Sequence, residues 1–260
     1  MSYTFGDNEE ASYRLRRLAE VYEPETRALL NALFDFDETY APRLAVDLGC
    51  GPGWSTQLLR SILRPQRTIG LDASERYITE ARTNHVQIEF FKHNVLESPF
   101  PVDLPDLLFC RFLLTHLSSP QKALQGWANL AAYRAKLLIH ETEKLESDNP
   151  ALQRYYQLVD EMQKHHGQAL NVGADLDDYL SGSEWLVLHS RSVVLEKSAR
   201  DMAQLHLLNL RTWGRNEYAL QAFDRNELDE LEKTLEQIAS GAIDAGVVHN
   251  TARQIIAERK

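Results

Sequence analysis

Cysteine is scarce in this chain: Cys50 and Cys110 are the only two in 260 residues. Two thiols cannot build a disulfide framework or a cysteine-rich metal cluster, and no metal site is expected. Positive charge is also in deficit. Lys and Arg number 28 against 38 Asp and Glu, a formal net charge of -10. Proteins grip a phosphate backbone with Lys and Arg, so a nucleic-acid partner is not expected. No apolar run approaches the ~20 residues that cross a bilayer, so no membrane partner is expected. Neither end reads as a signal peptide, residues 1–8 are polar, and a cytoplasmic location is expected. Internal repeats and low-complexity tracts are absent as well.

What remains is ordinary globular composition, 43% hydrophobic and 25% charged, enough to bury one sizeable core. Residues 1–42 read as an N-terminal helical region, with Leu15, Leu18, Val21 and Tyr22 at helical spacing before Pro24. From 43 to 141 strands and helices alternate, with strands expected at 44–47, 68–72, 86–93, 106–112 and 136–141. Residues 142–174 break that rhythm. Asn149-Pro150 opens a helix there, and Leu152, Tyr155, Tyr156, Val159 and Met162 share one side of it. Residues 175–260 complete the core, with strands expected at 185–196 and 251–258. A capping box, Asp224 to Glu227, opens the helix that ends at Gly241. The pattern predicts one α/β domain over 1–260: a Rossmann-like three-layer sandwich. Its mainly parallel seven-stranded sheet would carry helices on both faces, N-terminal helices and a helical cap insertion.

One run stands between a strand and a helix: Asp47-Leu48-Gly49-Cys50-Gly51-Pro52-Gly53. Glycines let such a loop turn sharply and bring backbone N–H groups to a ligand. A dinucleotide loop spaces its glycines G-x-G-x-x-G, whereas this one is G-x-G-x-G. An acid two positions before the first glycine would repel a pyrophosphate and suits a ligand bearing an ammonium. Cys50 has no basic neighbour to activate it and reads as a small loop residue.

Asp47-x-Gly49-x-Gly51-x-Gly53 resembles the first motif of the class I S-adenosylmethionine-dependent methyltransferases. The resemblance covers roughly 43–141. It implies that Asp47, Gly49, Cys50, Gly51 and Gly53 hold the amino-acid end of the cofactor, although Asp47 could equally brace the loop. Asp72 matches the acid that accepts both ribose hydroxyls, and Ala73 would line the adenine edge. Asn94 and Val95 stand where the next motif meets adenine, usually through Asp at the position of Asn94. Asp106 to Leu117 resembles the fourth motif, which brings Arg111 and Phe112 to the cofactor. His116 and Glu141 are the candidate catalytic groups, each with a structural role as the alternative. Tyr155, Tyr156, Arg211 and Trp213, with Trp54, are the candidate acceptor-binding residues. The Arg14 to Arg17 cluster reads as an exposed helical face, and one member could reach the cofactor carboxylate if that helix folds over as a lid. The His165-His166 pair reads as solvated.

The resemblance implies transfer of a methyl group from S-adenosyl-L-methionine, leaving S-adenosyl-L-homocysteine, to an O or N atom of a small organic acceptor. A protein methyltransferase and a non-catalytic cofactor binder are the alternatives. A homodimer is compatible with the sequence, which does not specify an oligomeric state.

Overall fold

The computed structural model describes residues 9–260; the polar opening segment, 1–8, lies outside the described residues. Two helices come first, α1 (Glu9–Val21) and α2 (Glu23–Asn31). Pro24 sits in the first turn of α2, where its missing N–H leaves no bond unmade. Strands and helices then alternate: β1 (Leu44–Leu48), α3 (Trp54–Leu63), β2 (Arg67–Asp72), α4 (Glu75–Asn84), β3 (Glu89–Lys92), β4 (Leu107–Arg111), α5 (Pro120–Leu130) and β5 (Lys136–Ser147). The remainder is α6 (Pro150–His165), α7 (Leu176–Leu180), β6 (Trp185–Ser198), α8 (Ala199–Trp213), α9 (Glu217–Ala222), α10 (Arg225–Ser240) and β7 (Val247–Arg259).

The seven strands form one sheet in the order β3-β2-β1-β4-β5-β7-β6. β1 to β5 run parallel, and β7 enters antiparallel between β5 and β6. Strand alternation sorts side chains into two cores. Leu44, Val46 and Leu48 pack with Leu124 and Trp127 of α5 and Leu176 of α7. Ala45, Phe109 and Leu138 face the other way, against Leu29 and Leu30 of α2 and Leu59 and Leu63 of α3. Each fully buried Leu in these layers contributes roughly 1.5–3 kcal/mol of transfer free energy. The indoles of Trp127 and Trp185 are buried yet satisfied, donating to Val95 O at 2.9 Å and Leu124 O at 2.8 Å. A third apolar cluster joins α6, α8 and α10 with Tyr22 and with Val248 and Ala252 of β7.

Three expectations shift. β3 spans only Glu89–Lys92 rather than 86–93, because Val86 stands exposed in the turn before it. β7 starts at Val247, four residues earlier than expected. β5 continues past Glu141 to Ser147, pairing with β7 across a register shift between Thr142 and Lys144. The charged run Glu143-Lys144-Leu145-Glu146 hides this extension, since a ribbon open on one face tolerates charge there. The expected cap therefore loses 142–147 to the sheet. Its helix, α6, packs sideways against α8 and α10, and no residue of α6 lines the cavity described next.

Candidate active site

The carboxyl ends of β1, β2 and β4 open on a cavity of about 510 Å³, where ligands of open α/β sheets generally bind. The glycine loop forms its floor. Gly49, Gly51 and Gly53 all have positive φ, +68°, +51° and +90°, a region that side chains with Cβ enter at a cost. Space is short as well. A Cβ on Gly53 would stand 2.8 Å from both His85 and Phe90 ring carbons. Gly49 N–H and Cys50 N–H both donate to Leu71 O, at 2.8 and 3.0 Å, tying the loop to the end of β2.

Asp47 lies beneath the loop and does not line the cavity. Its Oδ2 accepts from Ser55 Oγ and Thr56 Oγ1, both at 2.7 Å, which fixes the loop to the first turn of α3. Burial pushes the Asp47 carboxyl up to about 6, against the opposing pull of the two hydroxyls and Arg111. Bracing is the role this geometry gives it. Gly53 likewise stays outside the lining, while Gly49, Cys50, Gly51, Asp72, Ala73, Asn94, Val95, Arg111 and Phe112 all reach the cavity.

Asp72 ends β2 and is pinned between two backbone donors. Oδ2 accepts from Gly51 N–H at 2.9 Å and Oδ1 from Ser74 N–H at 2.8 Å. Asn94 is held in a turn by its own side chain, with Leu96 N–H donating to Oδ1 at 3.1 Å and Nδ2 donating to Glu97 at 3.1 Å. Arg111 reaches back to Thr26 of α2, Nη1 to Oγ1 at 3.0 Å. Phe112 has φ +51°, unusual for an aromatic residue. Its N–H donates to His140 O at 3.0 Å, and its ring meets Tyr22 edge-on at 4.9 Å between centroids.

The roof is α1. Arg14, Leu15, Leu18 and Ala19 line the cavity from above, with Arg14 only 5% exposed. The arginine cluster is thus split: Arg14 turns inward, while Arg16 and Arg17 pair with Glu20. Two clamps hold the helix down. Ser12 Oγ donates to Glu80 Oε2 of α4 at 2.6 Å, and Arg17 Nη2 donates to Asp201 of α8 at 3.2 Å.

The two candidate catalytic groups separate. His116 lines the cavity. Burial, aided by the Arg14 charge, holds its imidazole down at about 3, so it is neutral near pH 7 and a weak base. Glu141 lies outside the lining. It is fully buried, and one oxygen accepts from Leu113 N–H and Leu114 N–H, both at 2.7 Å. Burial pushes its carboxyl up to about 7 despite those bonds. Glu141 therefore holds the turn after β4, and the expectation of a catalytic Glu141 is replaced by that positioning role.

Four acceptor candidates do not reach the cavity. Tyr155 stacks on His206 at 4.4 Å, and Tyr156 Oη bonds His206 Nε2 at 3.1 Å. Trp213 is fully buried beside Tyr155. Arg211 pairs with Glu232 and Glu236 of α10. All four build the joint between α6, α8 and α10, because aromatics at helical spacing fill a core before they line a site. Trp54 does line the cavity, with the Arg16 guanidinium 5.3 Å from its ring centre. Sequence reasoning missed Tyr77, Leu117 and Gln168, which also line it. Of these only Tyr77 carried a local signal, one turn into the helix that Ser74 caps.

Comparison with known proteins bears on the same segment. Residues 45–132 match the family model described as a methyltransferase domain. A trans-aconitate 2-methyltransferase of Methylobacterium nodulans is 35% identical over 114 residues. That match spans 44% of this chain and 44% of the relative, less than half of either. Among solved structures, magnesium protoporphyrin IX methyltransferase from Synechocystis PCC 6803 with bound SAH superposes with a TM-score of 0.55 at 15% identity, over 95% of this chain and 94% of that one. The [4+2]-cyclase SpnF has the same TM-score, 0.55, at 14% identity, over 90% of this chain and 81% of that one. The fold is shared by both, so fold alone does not select the chemistry.

Proposed function

We propose, from the match of residues 45–132 to a methyltransferase-domain family model, that this chain binds S-adenosyl-L-methionine and moves its methyl group to an O or N atom of a small organic acceptor. One observation carries the proposal: the pinned Asp72 carboxylate beside a glycine loop whose N–H groups bond to the neighbouring strand. A carboxylate is an acceptor with about four lone-pair sites on two oxygens, the chemistry that the vicinal hydroxyls of a ribose call for. Arg111, which lines the cavity beside the glycine loop, suits the carboxylate at the amino-acid end of the cofactor, while Asp47 braces the loop from beneath. Ala73, Asn94 and Val95 would take the adenine end. The donor set thus fits the cofactor's chemistry along its length.

The cofactor would supply a methyl group already activated on a sulfonium. The chain's own work is then alignment and exclusion of water. Orienting reactants can lower a barrier by on the order of 7 kcal/mol. Leu15, Leu18, Phe112 and Leu113 give the cavity apolar walls, and a weakly polar site favours loss of the sulfonium charge. A roofed cavity of about 510 Å³ suits a small molecule better than a polypeptide. The small-acid substrate in the names of the curated relatives supports the same size class.

Isothermal calorimetry with S-adenosyl-L-homocysteine tests binding, and label transfer from methyl-labelled cofactor to a metabolite extract tests turnover. Binding with labelled small molecules is expected. Asp72→Ala should weaken binding by roughly 10–100-fold, since a bond to a charged acceptor contributes about 1.5–3 kcal/mol. Absence of binding by the wild type would remove the proposal, and labelled polypeptide would redirect it to a protein acceptor. Binding without transfer would leave a non-catalytic binder.

A further inference from the structure

Arg111 and Phe112, at the end of β4, line the cavity and are held from outside the strand. Phe112 keeps a left-handed φ of +51°. A residue with a Cβ stays in that region only where its surroundings fix it. Here its N–H donates to His140 O at 3.0 Å, and its ring meets Tyr22 edge-on at 4.9 Å and His140 at 5.1 Å between centroids. Consecutive side chains of a continuing strand point to opposite faces. The left-handed turn breaks that alternation and brings the ring to its neighbour. The Arg111 guanidinium carbon stands 5.7 Å from the ring centre, within reach of a cation–π contact.

The second hold on Arg111 is a hydroxyl. Thr26, fully buried, donates from Oγ1 to Tyr22 O at 2.8 Å and accepts from Arg111 Nη1 at 3.0 Å. A hydroxyl has one hydrogen, and the Tyr22 carbonyl takes it. Only lone pairs are then left for the guanidinium, which is a pure donor. Both holds start from one place, the junction of α1 and α2. That junction is anchored to the antiparallel strands. Lys197 of β6 donates to Val21 O at 2.8 Å and to Glu25 at 2.7 Å, and Asn250 of β7 donates to Tyr22 Oη at 2.7 Å. Neither Tyr22 nor Thr26 lines the cavity, and both precede the segment 45–132 that matches the family model.

We infer that Tyr22 and Thr26 are positioning residues: through the Phe112 ring and the Thr26 hydroxyl they aim the Arg111 guanidinium at the carboxylate of the bound cofactor. The inference rests on the cofactor reading above. A guanidinium meets a carboxylate with a planar fork of N–H groups, so its contribution depends on direction as well as charge. Tying Nη1 to Thr26 and seating the group by the Phe112 ring gives the remaining donors a fixed direction before the ligand arrives. The ordering cost is then met on folding rather than on binding. The strain at Phe112 has a use in this account, since it supplies the platform for the residue that precedes it.

The test uses the full chain and calorimetry with two ligands, S-adenosyl-L-homocysteine and its decarboxylated analogue, which keeps the adenosine, the thioether and the amine. Wild type is expected to bind the first about tenfold more tightly or better, as a bond to a charged acceptor implies. Thr26→Val and Tyr22→Leu should each weaken S-adenosyl-L-homocysteine roughly three- to tenfold, the worth of one hydrogen bond, and leave the analogue within about twofold of wild type. Thr26→Ser keeps the hydroxyl and Tyr22→Phe keeps the ring, so each should recover most of the affinity. Tyr22→Phe should still lower the urea midpoint, because the Asn250 bond is lost. In an Arg111→Gln background neither Thr26→Val nor Tyr22→Leu should weaken binding further. Equal weakening of both ligands overturns the inference, since the junction would then only support the fold. Unchanged S-adenosyl-L-homocysteine affinity in both variants overturns it too, as does a wild type that binds the two ligands equally; each of these leaves the cofactor reading standing. A wild type that binds neither ligand removes the cofactor reading and the inference with it. If Arg111→Gln does not fold, Thr26→Val against Thr26→Ser with the two ligands still decides.

Discussion

Gly53 is the residue at which local conformation and long-range packing meet. Its φ of +90° is left-handed, and the rings of His85 and Phe90 close the space a side chain would need. Gly53→Ala should therefore destabilise the fold by about 1–3 kcal/mol, strain and crowding acting together. Urea unfolding monitored by tryptophan fluorescence measures it, and a midpoint equal to wild type would contradict the clash. The same scale shows what kind of site residue is legible in a sequence. The places of Asp72 and the glycines at the ends of β2 and β1 were legible because strand ends and sharp turns are set over a few consecutive positions, although the bond between Gly51 and Asp72 spans 21. Tyr155 and Trp213 were not, because whether an aromatic ring lines a site or fills a core depends on what packs against it. Here that is His206 and Phe223.

At the scale of elements, the roof and the joint behind it are held differently. α2 is fixed from below by buried or half-buried polar bonds. Lys197 donates to Glu25 at 2.7 Å, Asn250 to Tyr22 Oη at 2.7 Å, and Arg111 to Thr26 at 3.0 Å. α1 relies on Leu15 and Leu18, on Ser12 with Glu80, and on Arg17 with Asp201. Exposed pairs of the last kind contribute only about 0.2–1 kcal/mol. α1 should open before α2 does. The double substitution Ser12→Ala, Arg17→Ala is expected to speed amide hydrogen exchange in α1 by about tenfold, through the lost bonds of Ser12 to Glu80 and of Arg17 to Asp201 and Gln204, about 1 kcal/mol or less each. Exchange in α2 should stay unchanged. Equal acceleration in both helices would mean that the pair moves as one piece. Of the expected cap, 142–174, Gln168 lines the cavity and α6 does not. Its helix was foreseen, but β5 extends six residues further than its apolar run suggests, and that extension carries α6 away from the mouth to α8 and α10.

At the scale of the molecule, two consecutive buried residues of β5 give stability opposite dependences on pH. His140 and Glu141 are both fully buried and, one residue apart on a strand, point to opposite faces. Burial holds the His140 imidazole down at about 3. Neither ring nitrogen has a protein partner among the described residues. The unfolded chain protonates this histidine below its ordinary pKa of about 6.5 while the folded chain does not, so stability falls as pH drops through that window. Glu141 has the reverse sign. Its folded pKa of about 7 lies above the ordinary value of about 4.3, so its contribution is complete in acid and is lost as pH rises through 7. Between about pH 4.5 and 6.5 the two slopes oppose each other. His140→Phe should remove up to about 1.4 kcal/mol per pH unit from the acid side. At pH 7.5 it should cost little, because no bond to the ring nitrogens is lost. Urea unfolding free energies from pH 4 to 8 supply the measurement. An unchanged acid slope would mean that His140 is not buried in its neutral form.

The amino-acid order by itself determined the alternation of strands and helices, the sharp glycine turn after β1 and the acid that ends β2. Each follows from dihedral preferences and side-chain chemistry over a few consecutive positions. Tertiary structure alone decided which helix covers the cavity, that Asp47 and Glu141 brace the turns while Asp72 faces the cavity, and that Arg14 turns inward. Those outcomes depend on partners far away in the chain. The α1 clamp joins Arg17 to Asp201 across 184 positions, and Glu141 holds a turn 28 residues before it. Burial is a property of the assembled layers, so no local pattern could have shown that His116 would be held neutral within the cavity.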